Sequence, residues 1–452
     1  MSTISNPIHV GVLSLHNSKE TKAICNAIDA LGHVPAWLRK ENTSITITNG
    51  DVTLEPSVDI IANRLLLSNT AQPCEELGLA RTVAEIKPIL NRPAATFAAI
   101  HKFATATRLS SHGVPVPDAF LALDSTTLNE ARPTFGDLAV YKTAIGTHGG
   151  GTWSVGNDDM INASVGNRRA FLQSMIWPEA GEHRDLRVYV VGDEIVGAMY
   201  RYAPENDWRT NVALGGRVED ATGTLSSDAR DIALNATEAL GLDYAGVDLV
   251  EGSDGWYVLE VNPTAGFRGL FRATGQSPAP YIAKLAIEEA GGTVSDKTVE
   301  DLADTLDDST PLCMPQPRPS YVTDHSATVG LTEEVVVMGT SGSETVVGKS
   351  DTGASRTSID TKLAAAIGAG PIKNITKIKS GSSKTAKTRP VVDVVVGIGG
   401  NQHTVTASVE DRSHMQYPAL LGRDILQHYN VDVTREVDGN GSGTDDQPLT
   451  EE

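Results

Sequence analysis

The chain opens with an apolar run at 8–15 that stops at polar His16-Asn17-Ser18, and apolar residues then recur at helical spacing, Ala23, Ile24, Ala27, Ile28 and Leu31, as far as Gly32. This reads as a strand, a loop and a helix. Residues 34–38 and 58–62 read as further buried strands, so residues 1–95 are expected to form a small open α/β unit. No G-x-G-x-x-G follows the first strand, so no dinucleotide site is indicated. One helix is expected over 96–112, carrying Lys102 and ending at Gly113, before Pro115 and Pro117 open an extended stretch. Then come a strand, a glycine loop and a strand in LAVYKTAIGTHGGGTWSV. Hairpins are expected over 186–200, turning at Gly192-Asp193, and between 247–250 and 256–261, turning at 253–255. A helix over 279–290 closes this second region, which spans 96–290 and has α+β character.

Beyond it the pattern fails. Residues 291–326 accumulate acids and then four prolines in PLCMPQPRPS, which reads as a linker. From 327 to 435 the Val- and Thr-rich runs at 328–348, 391–398 and 403–409, separated by glycine turns, read as a small mostly-β domain. The acidic tail 436–452 is expected to be disordered.

Composition narrows the function. At roughly 100–200 residues per domain, 452 residues predict two to four domains. Thirty-seven Lys and Arg against 57 Asp and Glu leave a net charge of −20, which repels nucleic acid and anionic lipid. Neither is expected as a partner. Three dispersed cysteines, Cys25, Cys74 and Cys313, with no C-x-x-C, exclude a disulfide framework and a cysteine-rich zinc site, and fit a reducing cytoplasmic compartment. No run approaches the ~18 apolar residues of a membrane span, and no export signal heads the chain.

Two constellations carry chemistry. Lys142 stands on a strand just before Gly146-Thr147-His148-Gly149-Gly150-Gly151, and a strand cation followed by backbone N–H groups free of Cβ atoms suits a phosphate chain. Alone it equally describes a glycine-rich hairpin, and without G-K-[ST] it is not a Walker loop. The second is Asp248 with Glu260 and Asn262: the last two, two apart on a strand, share a face, and two carboxylates plus an amide oxygen suit Mg²⁺. The bland alternative, a solvated Glu260 and a turn-forming Asn262 before Pro263, fits poorly with an acid that interrupts an apolar strand.

Lys142 with its loop, DLRVYVVG, RTN…GG and GVD…LEVNPTAGF occur in the order and spacing of the RimK-like ATP-grasp ligases, of the α-L-glutamate ligase type, a resemblance covering about residues 1–290. It implies a pre-ATP-grasp unit at 1–95, an ATP-grasp domain at 96–290, and ATP with Mg²⁺ or Mn²⁺ as cofactors. It also implies that a carboxylate is phosphorylated to an acylphosphate, which an amine, most often that of glutamate, converts to an amide. The carboxylate acceptor, whether peptide, protein C-terminus or coenzyme, is left open. By position, Lys102, Lys142, Gly146, Thr147, Gly149, Gly150 and Gly151 would hold phosphates, and the hinge Gln173, Ser174, Met175 and Ile176 would hold adenine. Ser174 stands where that family commonly has glutamate. Asp185 and Arg187 would contact nucleotide and phosphate, Arg209 and Asn211 the γ-phosphate and acceptor, and Asp248, Glu260 and Asn262 the metal.

Asp351-Thr352-Gly353 and YPALLGRDIL resemble the retropepsin-like aspartic-protease domain found with RimK-type ligases and labelled an ATP-dependent zinc protease, over about 327–435. The implied fold is therefore multidomain: α/β and α+β ATP-grasp, then mostly-β retropepsin-like. Aspartic chemistry needs two carboxylates, so one D-T-G implies either a homo-oligomer sharing Asp351 or no hydrolysis. His403, His414 and His428 lack ligand spacing and read as surface or packing residues. Lys362, Lys373, Lys377, Lys379, Lys384, Lys387 and Arg389 form an acid-free basic stretch, a solvated flap or an attractor for an acidic tail. Three readings remain: a ligase with a product-trimming or product-binding domain, a protease regulated by an ATP-binding module, and a ligase with a docking or dimerisation domain.

Overall fold

The computed structural model describes residues 6–16, 18–70, 72–146, 151–166, 168–177, 183–204, 208–210, 217–305, 310–314, 327–372, 374–378 and 387–437. The chain divides into two units, 1–319 and 320–452.

In the first unit the strands Val34–Leu38, His9–Leu13, Ile60–Asn63 and Ile89–Leu90 pair in that order, all parallel. The helix Lys19–Ala30 starts where the Ser18 hydroxyl caps the Thr21 N–H and presents Ala23, Ile24, Ala27 and Ile28 to the sheet. The 44–55 segment forms a hairpin through Asn49-Gly50, both at positive φ. The expected 96–112 helix is two helices, Pro93–Ile100 and Lys102–Ser111, broken at His101, whose Nδ1 accepts the Ala104 N–H and starts the second. The 291–326 segment contains a helix, Asp296–Ala303, anchored by buried Val299 and Ala303.

Two antiparallel sheets follow. The first comprises Ser164–Val165, Arg168–Ser174, Leu138–Thr143 and Thr152–Gly156, with Ala119–Phe120 on Arg168–Ser174. Its apolar face closes a core of its own around Ala139, Tyr141, Ala170, Leu172 and Leu128. The second runs Arg217–Asp220, Glu194–Tyr202, Arg184–Val191, Tyr244–Gly252, Gly255–Asn262. One face, with Leu186, Val188, Val247 and Leu249, packs on the helix Ser227–Leu240. The other, with Tyr189, Val191, Met199 and Tyr244, shares a core with the N-terminal sheet and the helix Ala279–Glu289. Along Arg184–Val191 this second face therefore changes character: Tyr189 and Val191 are covered by the N-terminal unit, while Asp185 and Arg187 pass beyond its cover.

In the second unit seven strands form one sheet, in which Thr332–Met338 pairs with both Ser343–Ser350 and Lys387–Ile398, closing a barrel around Val335, Val337, Ile359, Val394, Val396 and Leu421. No helix among the described residues is long and apolar enough to cross a membrane.

Asn91 joins the N-terminal sheet to the second grasp sheet. Fully buried at φ +56, it donates through Nδ2 to the carbonyls of Tyr244 (2.8 Å) and Pro263 (3.1 Å) and accepts through Oδ1 from Asp243 N (2.8 Å) and Tyr244 N (3.1 Å). Asn91→Ala leaves these backbone groups unpaired, and urea denaturation should show a loss of about 3 kcal/mol or more.

Candidate active site

A cavity of about 410 Å³ lies between the two grasp sheets and the N-terminal unit. Register sets its charged floor. Arg187 is directly opposite Asp248, and Asp248 is directly opposite Glu260. The second pairing exists because of an irregularity at Asp248/Leu249, which brings Glu260 to face Asp248. Gly246 keeps the row open, since a Cβ there would come within 2.7 Å of the Ala265 Cβ and 3.6 Å of the Arg187 Cδ.

The charges interlock. Arg187 forks onto Asp248 through Nε (2.5 Å) and Nη2 (2.6 Å). Arg201 reaches Asp248 (2.9 Å) and forks onto Asp185, with Nε at 2.6 Å, and Asp185 also accepts the Thr210 hydroxyl. Burial pushes the Asp185 carboxyl up against the opposing pull of Arg201. Lys102 pairs with Glu260, and Asn262 Nδ2 donates to Glu260 (3.1 Å) and Asp248 (3.5 Å). Burial would raise Glu260, but Lys102, Arg187 and Asn262 outweigh it and hold the carboxyl far below the usual range.

From the opposite sheet Lys142 enters the cavity, 6% exposed, its Nζ 5.6 Å from the Phe171 ring centroid. Burial, then the nearby Lys102, bring its pKa down to about 7, against the opposing pull of Glu260 and Asp248. After it, Gly146 and Gly151 pass so close to Thr143 that a Cβ would stand 2.8 and 2.4 Å from its hydroxyl oxygen. Thr147, Gly149 and Gly150 lie outside the described residues. Gln173, Ser174, Met175 and Ile176 border the cavity, and Ser174 is held by its N–H on Asp118 O (2.7 Å). Arg209 also lines the cavity, while Asn211 lies outside the described residues.

Asp248, Glu260 and Asn262 thus converge, and two carboxylates with an amide oxygen are a hard, all-oxygen donor set that fits Mg²⁺ once the Asn262 amide turns its oxygen, in place of its Nδ2, toward the carboxylates. Those carboxylates are meanwhile neutralised by Arg187, Arg201 and Lys102. Asp185 is enclosed by Arg201 and Thr210, which makes it a positioner of Arg201 as much as a cavity wall. Sequence reasoning missed Arg201, Thr210, Arg64 and Glu20. Counting outward from Gly192-Asp193 would set Asp185 opposite Tyr200; the irregularity at Tyr189/Val190 moves it to Arg201.

In the second unit Asp351 belongs to a different site. Its Oδ1 accepts the N–H groups of Gly353 (2.9 Å) and Ala354 (3.1 Å), and its own N–H donates to Leu421 O (2.9 Å), so the Leu420-Leu421-Gly422 segment does underlie the loop. Gly422 is required because a Cβ would meet the Arg356 carbonyl carbon at 2.4 Å. His403 and His428 stack at 4.9 Å, and His403 bonds the Tyr429 hydroxyl (2.6 Å), a packing arrangement. No group of three or more His, Cys, Asp or Glu suited to a metal occurs among the described residues. Of the basic stretch, Arg389 is paired with Glu410 (2.5 Å), and Lys373, Lys379 and Lys384 lie outside the described residues.

Comparison with known proteins bears on the family and the fold. Residues 99–285 match the RimK-like ATP-grasp domain, and residues 368–437 match a family described as retropepsin-like aspartic endopeptidase RimB. The tetrahydromethanopterin:α-L-glutamate ligase of Methanocaldococcus jannaschii is 37% identical over 211 residues, 44% of this chain and 70% of that one. The ligase of the same name from Methanococcus maripaludis is 32% identical over 45% of this chain and 69% of its own length. The ATP-grasp ligase PsnB, solved with a precursor variant, Mg and ADP, shares the fold with a TM-score of 0.50 at 18% identity, covering 62% of this chain and 98% of that one.

The lowered pKa of Lys142 has a measurable sign. Above about pH 7 the free site holds this amine neutral, and an arriving phosphate favours its charged form, so binding takes up a proton. Affinity for a triphosphate should therefore fall as pH rises from about 7 towards the ordinary lysine value. Calorimetry in buffers of different ionisation enthalpy should show the uptake in the wild type and not in Lys142→Gln.

Proposed function

The chain belongs to the RimK-like ATP-grasp ligases, ATP-dependent enzymes that form C–N bonds, and from that premise we propose that it joins glutamate to an acceptor carboxylate through an acylphosphate. The observation that carries this reading is the meeting of cations from both sheets, Lys142 from one and Arg187 and Arg201 from the other, with Lys102 from the helix Lys102–Ser111, over the trio Asp248, Glu260 and Asn262. Moving a γ-phosphoryl group onto a carboxylate brings two anions together, so the site must supply positive charge where they meet. Lys142, Lys102, Arg187 and Arg209 would hold the phosphates. Mg²⁺ at Asp248, Glu260 and Asn262 would neutralise charge on the phosphate oxygens. Gly146 to Gly151 would close over the chain, and Gln173 to Ile176 would hold the base.

The acceptor oxygen bonds to the γ-phosphorus as ADP leaves; the amine nitrogen then bonds to the acyl carbon as inorganic phosphate leaves, and the ammonium proton is released. Glutamate is the amine favoured by the names of the two methanogen ligases. The second unit binds or trims the product. Two copies would be needed for aspartic hydrolysis, because that chemistry shares one proton between two carboxylates and the D-T-G motif supplies one, Asp351, per chain.

The test is formation of ADP that depends on both ATP and added glutamate, with mass spectrometry of cell extract supplied with labelled glutamate to show the acceptor. No glutamate-dependent ADP and no labelled product would sink the reading. Glu260→Ala should keep its circular dichroism and lose about 100-fold or more in ADP formation. Asp351→Asn should leave ligation unchanged, since the barrel has its own core, and abolish any cleavage of glutamate-extended product, both read in one time course.

A further inference from the structure

The cavity has a second charged wall, used by none of the roles above. Arg64 follows the strand Ile60–Asn63 and is 4% exposed. Its Nη2 donates to the carbonyls of Thr264 (3.3 Å) and Ala265 (3.1 Å), and the guanidinium lies 5.1 Å from the Phe267 ring centroid. Nε has no partner, and Nη1 finds none among the described residues. Arg132 supplies the contrast. It is equally buried and its Nε is also unpartnered, but Nη1 and Nη2 both close on backbone carbonyls, of Gly136 (2.9 Å) and Asp137 (3.0 Å), and it is not among the residues that line this cavity. Arg132 is a clamp. Arg64 is a clamp with one amino group left over, beside the cavity.

Glu20 borders the same wall from the first turn of the helix Lys19–Ala30, its carboxylate accepting the Ser18 hydroxyl (2.8 Å). Burial raises its pKa, but the attraction of Arg64 with local hydrogen bonds lowers it below the usual carboxylate value, so it is charged at neutral pH. No ion pair within 4.0 Å joins Glu20 to Arg64 among the described residues. Two opposite, largely buried charges that border one cavity without closing on each other lack the direct contact that would offset their desolvation. A molecule carrying both charges on one carbon supplies it to each. A phosphate would meet repulsion from Glu20, and a plain amine repulsion from Arg64.

We propose that Arg64 and Glu20 form the subsite for the incoming amino acid, Arg64 taking its α-carboxylate and Glu20 its α-ammonium. This rests on the ligase reading and deepens it. The carbonyls that hold Arg64 belong to Thr264 and Ala265, two and three residues beyond Asn262, so the subsite adjoins the metal-ligand end of the strand Gly255–Asn262. The amine is thereby presented beside the centre where the acylphosphate forms.

The test is calorimetric titration of L-glutamate into full-length protein saturated with Mg²⁺ and a non-hydrolysable ATP analogue. Arg64→Gln should weaken L-glutamate roughly 30-fold or more while the analogue binds within about twofold of wild type. Glu20→Gln keeps the clamp on the Thr264 and Ala265 carbonyls; it should weaken L-glutamate while glutarate, which lacks the amine and is repelled by a charged Glu20, binds no more weakly than to wild type, a discrimination that a merely structural role would not move. If Arg64→Gln fails to fold, Glu20→Gln decides alone. Wild-type L-glutamate affinity in folded Arg64→Gln, or equal weakening of glutamate and glutarate in Glu20→Gln, overturns the subsite and leaves the ligase reading standing. A wild-type protein that binds the analogue but no L-glutamate overturns the subsite together with the choice of glutamate.

Discussion

The cavity of the first unit depends on setting a cation against each of three carboxylates drawn back from the surface, Asp185, Asp248 and Glu260. A carboxylate removed from solvent is tolerated only when a cation stands against it, and here Arg201, Arg187 and Lys102 do so. The strands provide the rigidity this needs. Arg187, Asp248 and Glu260 occupy one row across three adjacent strands, and hydrogen-bonded register fixes their separation more firmly than loops could. The N-terminal unit contributes by ending where it does, covering Tyr189 and Val191 and leaving Asp185 and Arg187 to the cavity.

Much of this was legible because the apolar runs are short and cleanly bounded. The strands at 9–13, 138–143 and 184–191 and the glycine turn at 192 follow from pattern alone. Glu260 and Asn262 were legible for the same reason, since a period of two puts them on one face. What failed did so for specific causes. His101 breaks a helix whose apolar spacing runs through it, and Asp296–Ala303 hides in an acidic stretch because only two of its residues are fully buried. The Asn49-Gly50 hairpin carried its local signal, but its strands are mostly exposed and their alternation is faint. Arg64 carried the signal that had singled out Glu260, a charge interrupting an apolar run, and only its burial shows that it mattered.

The second unit separates fold from chemistry. Its loop around Asp351 and the glycine at 422 are those the sequence motif asks for, and they are satisfied by backbone within one chain. A barrel closed by Thr332–Met338 on Lys387–Ile398 needs no second copy to complete its core.

The separate core of the first grasp sheet has a consequence for how the molecule comes apart. Ala139, Tyr141, Ala170 and Leu172 pack among themselves, whereas the second sheet is sandwiched between two larger cores. The sheet that carries Lys142 can therefore open as a small cooperative block, its amides exchanging with solvent while the sheet that carries Asp248 and Glu260 stays closed. Of the two sheets that wall the cavity, one is thermodynamically soft and the other hard.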